Sequence, residues 1–500
     1  MLRVLGSPQR LCDGWTRREM LRAGGLGYLG LSLADYFRLQ EAQAASAKTR
    51  SDRSFGKAKS CILLFLYGSP SQLETFDTKP TAPPEIRGEL GTIRSSLPGC
   101  DVGELLPHTA KVMHKVTTLR SLTHPYPIHG VAYATTGVPA IDVAMELSPR
   151  DPRHWPFVGS VVDFLDQQAR RTRPVPGNIA LPFPMSTRRV GEVHRAGPYA
   201  AFLGSAYNPV WTNFRGKATG KMTKTLAAQT LDVDEPYIAI DPHCQFPISS
   251  NDHDSGGIAL NRLDARRSLL EQMDRARRDL SDSDAGRSFD RNRARAMDLI
   301  HSSRVQTALD VEREPSSLRD TYGMSLFGQS CLVARRLVEA GSRFVTVFWD
   351  EYGLAGSAWD THWDHYDRMK KELCPGFDRG FSGLINDLDA RGMLDDTLVV
   401  CISEHGRTPK LTRASRGMGR DHWSRAYSAV LAGGGIARGR VIGRTDKIAS
   451  DVTERPISPK DILATTYHLL GIDIETTIDN RFAQPLHLVP GGHVLTDALV

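Results

Sequence analysis

The sequence predicts an α/β fold: a central, mostly parallel sheet flanked by helices. Three apolar runs carry that inference, at residues 60–66 (SCILLFL), 344–348 (FVTVF) and 397–403 (TLVVCIS). None alternates polar with apolar, so each reads as a strand buried on both faces, the pattern of parallel sheets. Helical patterns at 330–340 and 377–391 precede the second and third runs and supply the crossovers that parallel strands require.

Taken from the N-terminus, Thr16-Arg17-Arg18-Glu19-Met20-Leu21 comes first, with a weakly apolar, Gly-broken stretch from Ala23 to Leu33 and small residues at Ala42-Gln43-Ala44. This is the pattern of a twin-arginine export signal with an Ala-x-Ala cleavage site, too short and broken to span a bilayer. Residues 1–44 are therefore set apart from residues 45–500, which read as a single domain. Twin-arginine export implies the translocase as a partner and a periplasmic or otherwise extracytoplasmic location, with a membrane tether only if the signal stays uncleaved. Cleavage lowers the formal charge from +6 to +4, too mild a charge to imply nucleic acid. Cys61 and Cys401 lie inside the apolar runs, where a thiol is a small buried hydrophobe.

Residues 149–250 are rich in Pro and Gly and read as long loops and short strands laid over the sheet. From 258 to 315, Leu263, Leu269, Leu270, Met273, Ala276 and Leu280 fall at helical spacing among Arg and Asp, the signature of a solvated helical insertion.

Ligands in open parallel sheets bind beyond the carboxyl ends of the strands. Three His-acid pairs follow strand ends in the last third of the chain: Asp360 with His362, Glu404 with His405, and Asp421 with His422. Carboxylate and imidazole together are the ligand set of a divalent metal such as zinc or manganese. The first strand leads into Glu74 and Asp77, and His124 and His129 flank Pro125-Tyr126-Pro127-Ile128. These four, with Asp364, are further candidates. Arg407 offers a guanidinium that could clamp phosphate or sulfate.

Several blocks carry a family resemblance. They are residues 61–77 (CILLFLYGSPSQLETFD), Arg120 to His124, Tyr322-Gly323, Phe327 to Ser330, Ala334 to Gly341, Trp359 to His362, Glu404 to Pro409, Gly419 to Trp423 and Gly433-Gly434-Gly435. In this order they resemble the exported bacterial family of domain of unknown function 1501, itself similar to the sulfatase and alkaline-phosphatase superfamily. That resemblance implies a sulfatase-like fold and a two-metal hydrolase of phosphate or sulfate esters. One ion would take Asp360, His362 or Asp364, and His422, and the other Glu404 and His405; a Ser, Thr or modified Cys nucleophile would stand at a helix start between them.

The chain departs from that pattern in three places. Tyr67-Gly68 stands where the superfamily has its first Asp ligand, leaving Glu74 or Asp77 as substitutes. Residues 128–137 (IHGVAYATTG) offer no Ser or Cys at the helix start. Relatives often carry Phe in place of His405, and His and Asp in place of Gln72 and Glu74. The expected activity is hydrolysis of anionic esters, of glycans or cell-envelope components, using zinc, calcium, magnesium or manganese and no side-chain nucleophile. The alternative is a non-catalytic exported binding protein that keeps the fold and a structural metal.

Overall fold

The computed structural model describes residues 53–500 apart from 249–301 and short stretches at 127–128, 140–142, 150, 152, 172, 174, 190–194, 227–228, 354–357 and 415–416. The export signal and most of the helical insertion lie outside the described residues.

An eight-stranded sheet forms the centre. Its strands are β1 (Ser60–Leu66), β2 (Val116–Leu122), β3 (Asn178–Leu181), β4 (Val210–Trp211), β5 (Phe344–Trp349), β6 (Thr397–Ile402), β7 (Tyr427–Ala432) and β8 (Arg440–Ile442), arranged in the order β8-β2-β7-β6-β1-β5-β3-β4. β1 lies between β5 and β6 and is parallel to both, Leu63 opposing Thr346 on one side and Val400 on the other. Every residue of β1, β5 and β6 is buried, as expected of strands without a wet face.

β7 is antiparallel to both its neighbours, β6 and β2. Two reversals leave β2 running the same way as β6. The carboxyl ends of β1, β2, β5 and β6 therefore share one edge of the sheet, and β7 begins there.

Among the helices that flank the sheet are α1 (Val131–Thr136), α2 (Val158–Gln168), α3 (Leu326–Glu339), α4 (Cys374–Ala390) and α5 (Pro459–Leu469). α3 packs on β1, β5 and α4. The Ser325 hydroxyl accepts from the Gly328 N–H and caps its start, and Ser458 with Asp461 forms a capping box at the start of α5.

The segment 149–250 departs from expectation. It contributes α2 and two strands of the main sheet, β3 and β4, besides an antiparallel hairpin of Lys221–Leu226 and Gln229–Asp234. Strands of four and two residues are too short to show a period, whereas α2 carries Val158, Val161, Val162 and Leu165 at helical spacing. Among the described residues no helix is long and apolar enough to cross a membrane.

Candidate metal centre

At the carboxyl edge, Tyr67-Gly68-Ser69 follows β1, Glu404-His405 follows β6, and His124 to His129 follow β2. A short antiparallel pairing of Gly406–Arg407 with His422–Trp423 folds the Asp421-His422 pair back over the end of β6. The Asp360 segment is pinned to β1 by the Trp359 N–H, which donates to the Tyr67 carbonyl at 2.9 Å. Only glycine fits below it. Gly68 has φ +90°, and a Cβ there would stand 2.3 Å from the Asp360 nitrogen. Gly419 plays the same part on the other side, since its Cβ would overlap the His362 carbonyl.

These contacts gather five side chains. Asp360 Oδ1 lies 3.0 Å from His362 Nε2 and 3.2 Å from His422 Nε2, and the two Nε2 atoms are 3.0 Å apart. Ligands held tetrahedrally at zinc distances stand about 3.3 Å from one another, so this triangle has the size of one face of a divalent-metal site. A second group, His129, His405 and His422, places its ring nitrogens within 4.8 Å of one another and shares His422 with the first.

The rings of His362, His129 and His405 are each oriented by a partner on the other nitrogen, as metal-binding histidines are. His362 Nδ1 lies 2.7 Å from Asp421 Oδ1. His129 Nδ1 lies 2.9 Å from Glu404 Oε1, which also accepts from the Gly68 N–H at 2.7 Å. His405 Nδ1 donates to the Gly406 carbonyl at 2.9 Å, so its Nε2 carries the lone pair. That Nε2, and Glu404 Oε2, are buried without a hydrogen-bond partner. Buried polar atoms are rarely left so, and the donor set fits a divalent ion of the zinc or manganese class.

The electrostatics agree with this arrangement. Burial and the Arg407 charge keep His405 neutral, and burial pushes the His422 ring down. Burial would raise Asp360, but Arg407 and the surrounding imidazoles hold it well below the usual carboxylate range. Burial also disfavours the charged form of His129, yet Asp360 and Glu404 on its two nitrogens outweigh this and hold it up at about 9. The proton that the carboxylates demand there occupies the place a cation can take.

Other candidates stand elsewhere. Glu74 is fully buried but ion-paired: its Oε1 accepts from Arg420 Nε at 3.0 Å and Nη2 at 2.5 Å, and His365 Nε2 lies 3.5 Å from its Oε2. Asp77 serves Lys79 at 2.9 Å, Arg120 at 3.8 Å and the Thr445 hydroxyl. His124 accepts from the Tyr126 N–H on Nδ1 and therefore donates through Nε2 to the Glu404 carbonyl, at 2.8 Å; burial pushes it down to about 4. Asp364 precedes the short helix His365–Arg368 with φ +51° and belongs to neither ligand group. Glu404 reaches the site through the ring of His129. Arg407 is no clamp for a solute: it is fully buried and donates to the carbonyls of Gly68, Ser69 and Arg420 and, at 2.6 Å, to Asp360 Oδ1. A carboxylate after a strand looks alike in sequence whether an arginine or a metal takes it.

Glu146, which belongs to no motif, also stands near enough to His129 to feel its charge. Burial pushes the Glu146 carboxyl up to about 7 against the pull of Arg195 and His129.

A family model described as "Protein of unknown function (DUF1501)" matches residues 58–499. The chain belongs to this family. Among solved structures it is similar to a sulfatase, PsFucS1, of a Pseudoalteromonas species at 10% identity, covering 86% of this chain and 72% of that one with a TM-score of 0.37. It is also similar to an alkaline phosphatase superfamily protein of Vibrio parahaemolyticus at 12% identity, covering 84% and 68% with a TM-score of 0.34. A phosphonate monoester hydrolase of Silicibacter pomeroyi matches at 12% identity, covering 84% and 74% with a TM-score of 0.32. No curated protein matches the chain.

Proposed function

We propose that the protein is a metal-dependent hydrolase of sulfate or phosphate esters, exported by the twin-arginine route. The observation that carries this reading is the Asp360, His362 and His422 triangle, with edges of 3.0–3.2 Å, beside the orphaned Nε2 of His405. A divalent ion held there supplies Lewis-acid polarisation of ester oxygens and lowers the pKa of water.

The chain's own part is to hold and orient. Asp360, His362 and His422 form one ligand group, and His129 and His405 complete a second around the shared His422. Glu404 and Asp421 set the ring orientations from behind. Arg407 fixes Asp360 and tempers the negative charge that would otherwise accumulate in the pocket.

Water is the nucleophile in this reading. The Thr135 and Thr136 hydroxyls, in the segment where a covalent nucleophile is expected, donate back to the Val131 and Ala132 carbonyls at 2.6 and 2.7 Å inside α1. Both side chains are buried.

A panel of aryl phosphates and aryl sulfates tests the reading. Turnover that is lost on chelation and restored by zinc or manganese is expected. A protein that keeps its metal and turns over none of the panel is instead an exported binding protein.

A further inference from the structure

We propose that Arg368 is a positioning residue for the metal centre. It holds the backbone of the Asp360 loop so that the Asp360 carboxylate meets His362 and His422, and Lys224 of the hairpin steadies it through Glu372. The inference rests on the metal centre for what is positioned, and not on hydrolysis. Arg368 closes the short helix His365–Arg368. Its buried side chain turns back onto the chain before that helix: Nη1 donates to the Asp360 carbonyl at 2.9 Å and Nη2 to the Ala358 carbonyl. One planar fork thus spans two carbonyls of the ligand loop. His365, on the same helix, adds a contact between its Nδ1 and the Thr361 hydroxyl at 2.8 Å.

Two arginines therefore hold Asp360 in different ways. Arg407 donates to Oδ1 of its carboxylate at 2.6 Å, the same oxygen that faces His362 and His422, and so shares an atom that a metal would use. Arg368 bonds only main-chain oxygen. It fixes the residue without occupying a ligand atom.

A buried guanidinium needs a counter-charge. Glu372 supplies it, its Oε2 accepting from Arg368 Nε at 3.2 Å. The two lie four residues apart, and the helix widens between them into a π turn, Met369–Leu373, in which the Cys374 N–H donates to the Met369 carbonyl. Such turns recur at functional sites. Glu372 Oε1 accepts in turn from Lys224 Nζ at 3.1 Å, and Lys224 also donates to Glu235 Oε2 at 2.6 Å. Along the hairpin strand, buried Met222 and Lys224 alternate with exposed Lys221 and Thr223. The lysine thus stands on the buried face, where an unpaired ammonium is costly. Lys224, Glu235, Arg368 and Glu372 are all buried, two basic and two acidic groups that connect the hairpin to the Asp360 loop.

Cobalt(II) titrated into the metal-stripped full-length protein, read by its visible absorption, tests this, with the folded fraction of every variant measured by circular dichroism. Asp360→Asn marks the step of the titration that depends on Asp360. Arg368→Met should weaken that step about 10- to 100-fold, the range for residues that orient metal ligands, and alter its spectrum. Arg368→Lys should fall between, keeping the charge without the fork, and Lys224→Met should weaken the step by a smaller factor. A purely structural role lowers the folded fraction and leaves the affinity and spectrum of the folded protein unchanged. That result in Arg368→Met, or in Arg368→Lys and Lys224→Met where Arg368→Met does not fold, overturns the assignment. Natural protein that takes up no cobalt overturns the metal centre and the assignment with it. Cobalt binding that depends on Arg368, in a protein that turns over no ester, leaves the assignment standing and overturns the hydrolase reading alone.

Discussion

Glu74→Gln separates an ion-pair role from a ligand role. Burial alone would raise the Glu74 carboxyl, but the Arg420 guanidinium and His365 override it and hold it at about 2, against an ordinary 4.5. That difference is worth about 3 kcal/mol of folding free energy at neutral pH. Because the folded value is depressed, the stabilisation is complete above pH 4.5 and disappears as pH falls from there through about 2. The substitution leaves Arg420 buried with its remaining partners, the Ile86, Thr408 and Pro409 carbonyls. Removing one member of a buried pair typically costs 3–5 kcal/mol, so about 3–5 kcal/mol is expected here. Urea denaturation at pH 7 and pH 3 should show a gap between natural and variant protein that narrows in acid. Arg420 lies two positions before His422, yet metal content should hold wherever the variant remains folded. A variant of unchanged stability that has lost its metal would make Glu74 a ligand and refute the ion-pair assignment.

Three further outcomes are expected. Thr135→Ala and Thr136→Ala should keep most of any ester turnover, and covalent labelling of either residue by substrate would end the water-attack reading. Gly68→Ala forces a side chain into left-handed backbone and against the Asp360 nitrogen; it should destabilise by about 1–3 kcal/mol and lower metal content, and a stable, metal-loaded variant would contradict the close approach. Changing Arg17 and Arg18 to Lys should retain the precursor in the cytoplasm, and unimpaired export in a fractionation assay would remove the twin-arginine assignment.

The centre of the sheet was legible because β1, β5 and β6 are near-continuous apolar runs, a pattern that burial on both faces imposes directly on sequence. β3 and β4 were hidden because strands of four and two residues carry no period. The ligand groups were half legible. Asp360, His362, His405 and His422 follow strand ends, whereas the central place of His129 depends on β2 running parallel to β6, which only the reversal through β7 establishes. Glu74 and Arg407 were misread for one reason: their partners, Arg420 and Asp360, are distant in sequence and close in space.

Metal analysis of the purified protein, natural and His422→Ala, tests the metal centre most directly because His422 belongs to both ligand groups. The natural chain should retain at least one divalent ion through dialysis, and His422→Ala should lose it while remaining folded by circular dichroism. A natural protein that is folded, binds no added zinc or manganese and is indifferent to chelators would contradict the metal centre itself.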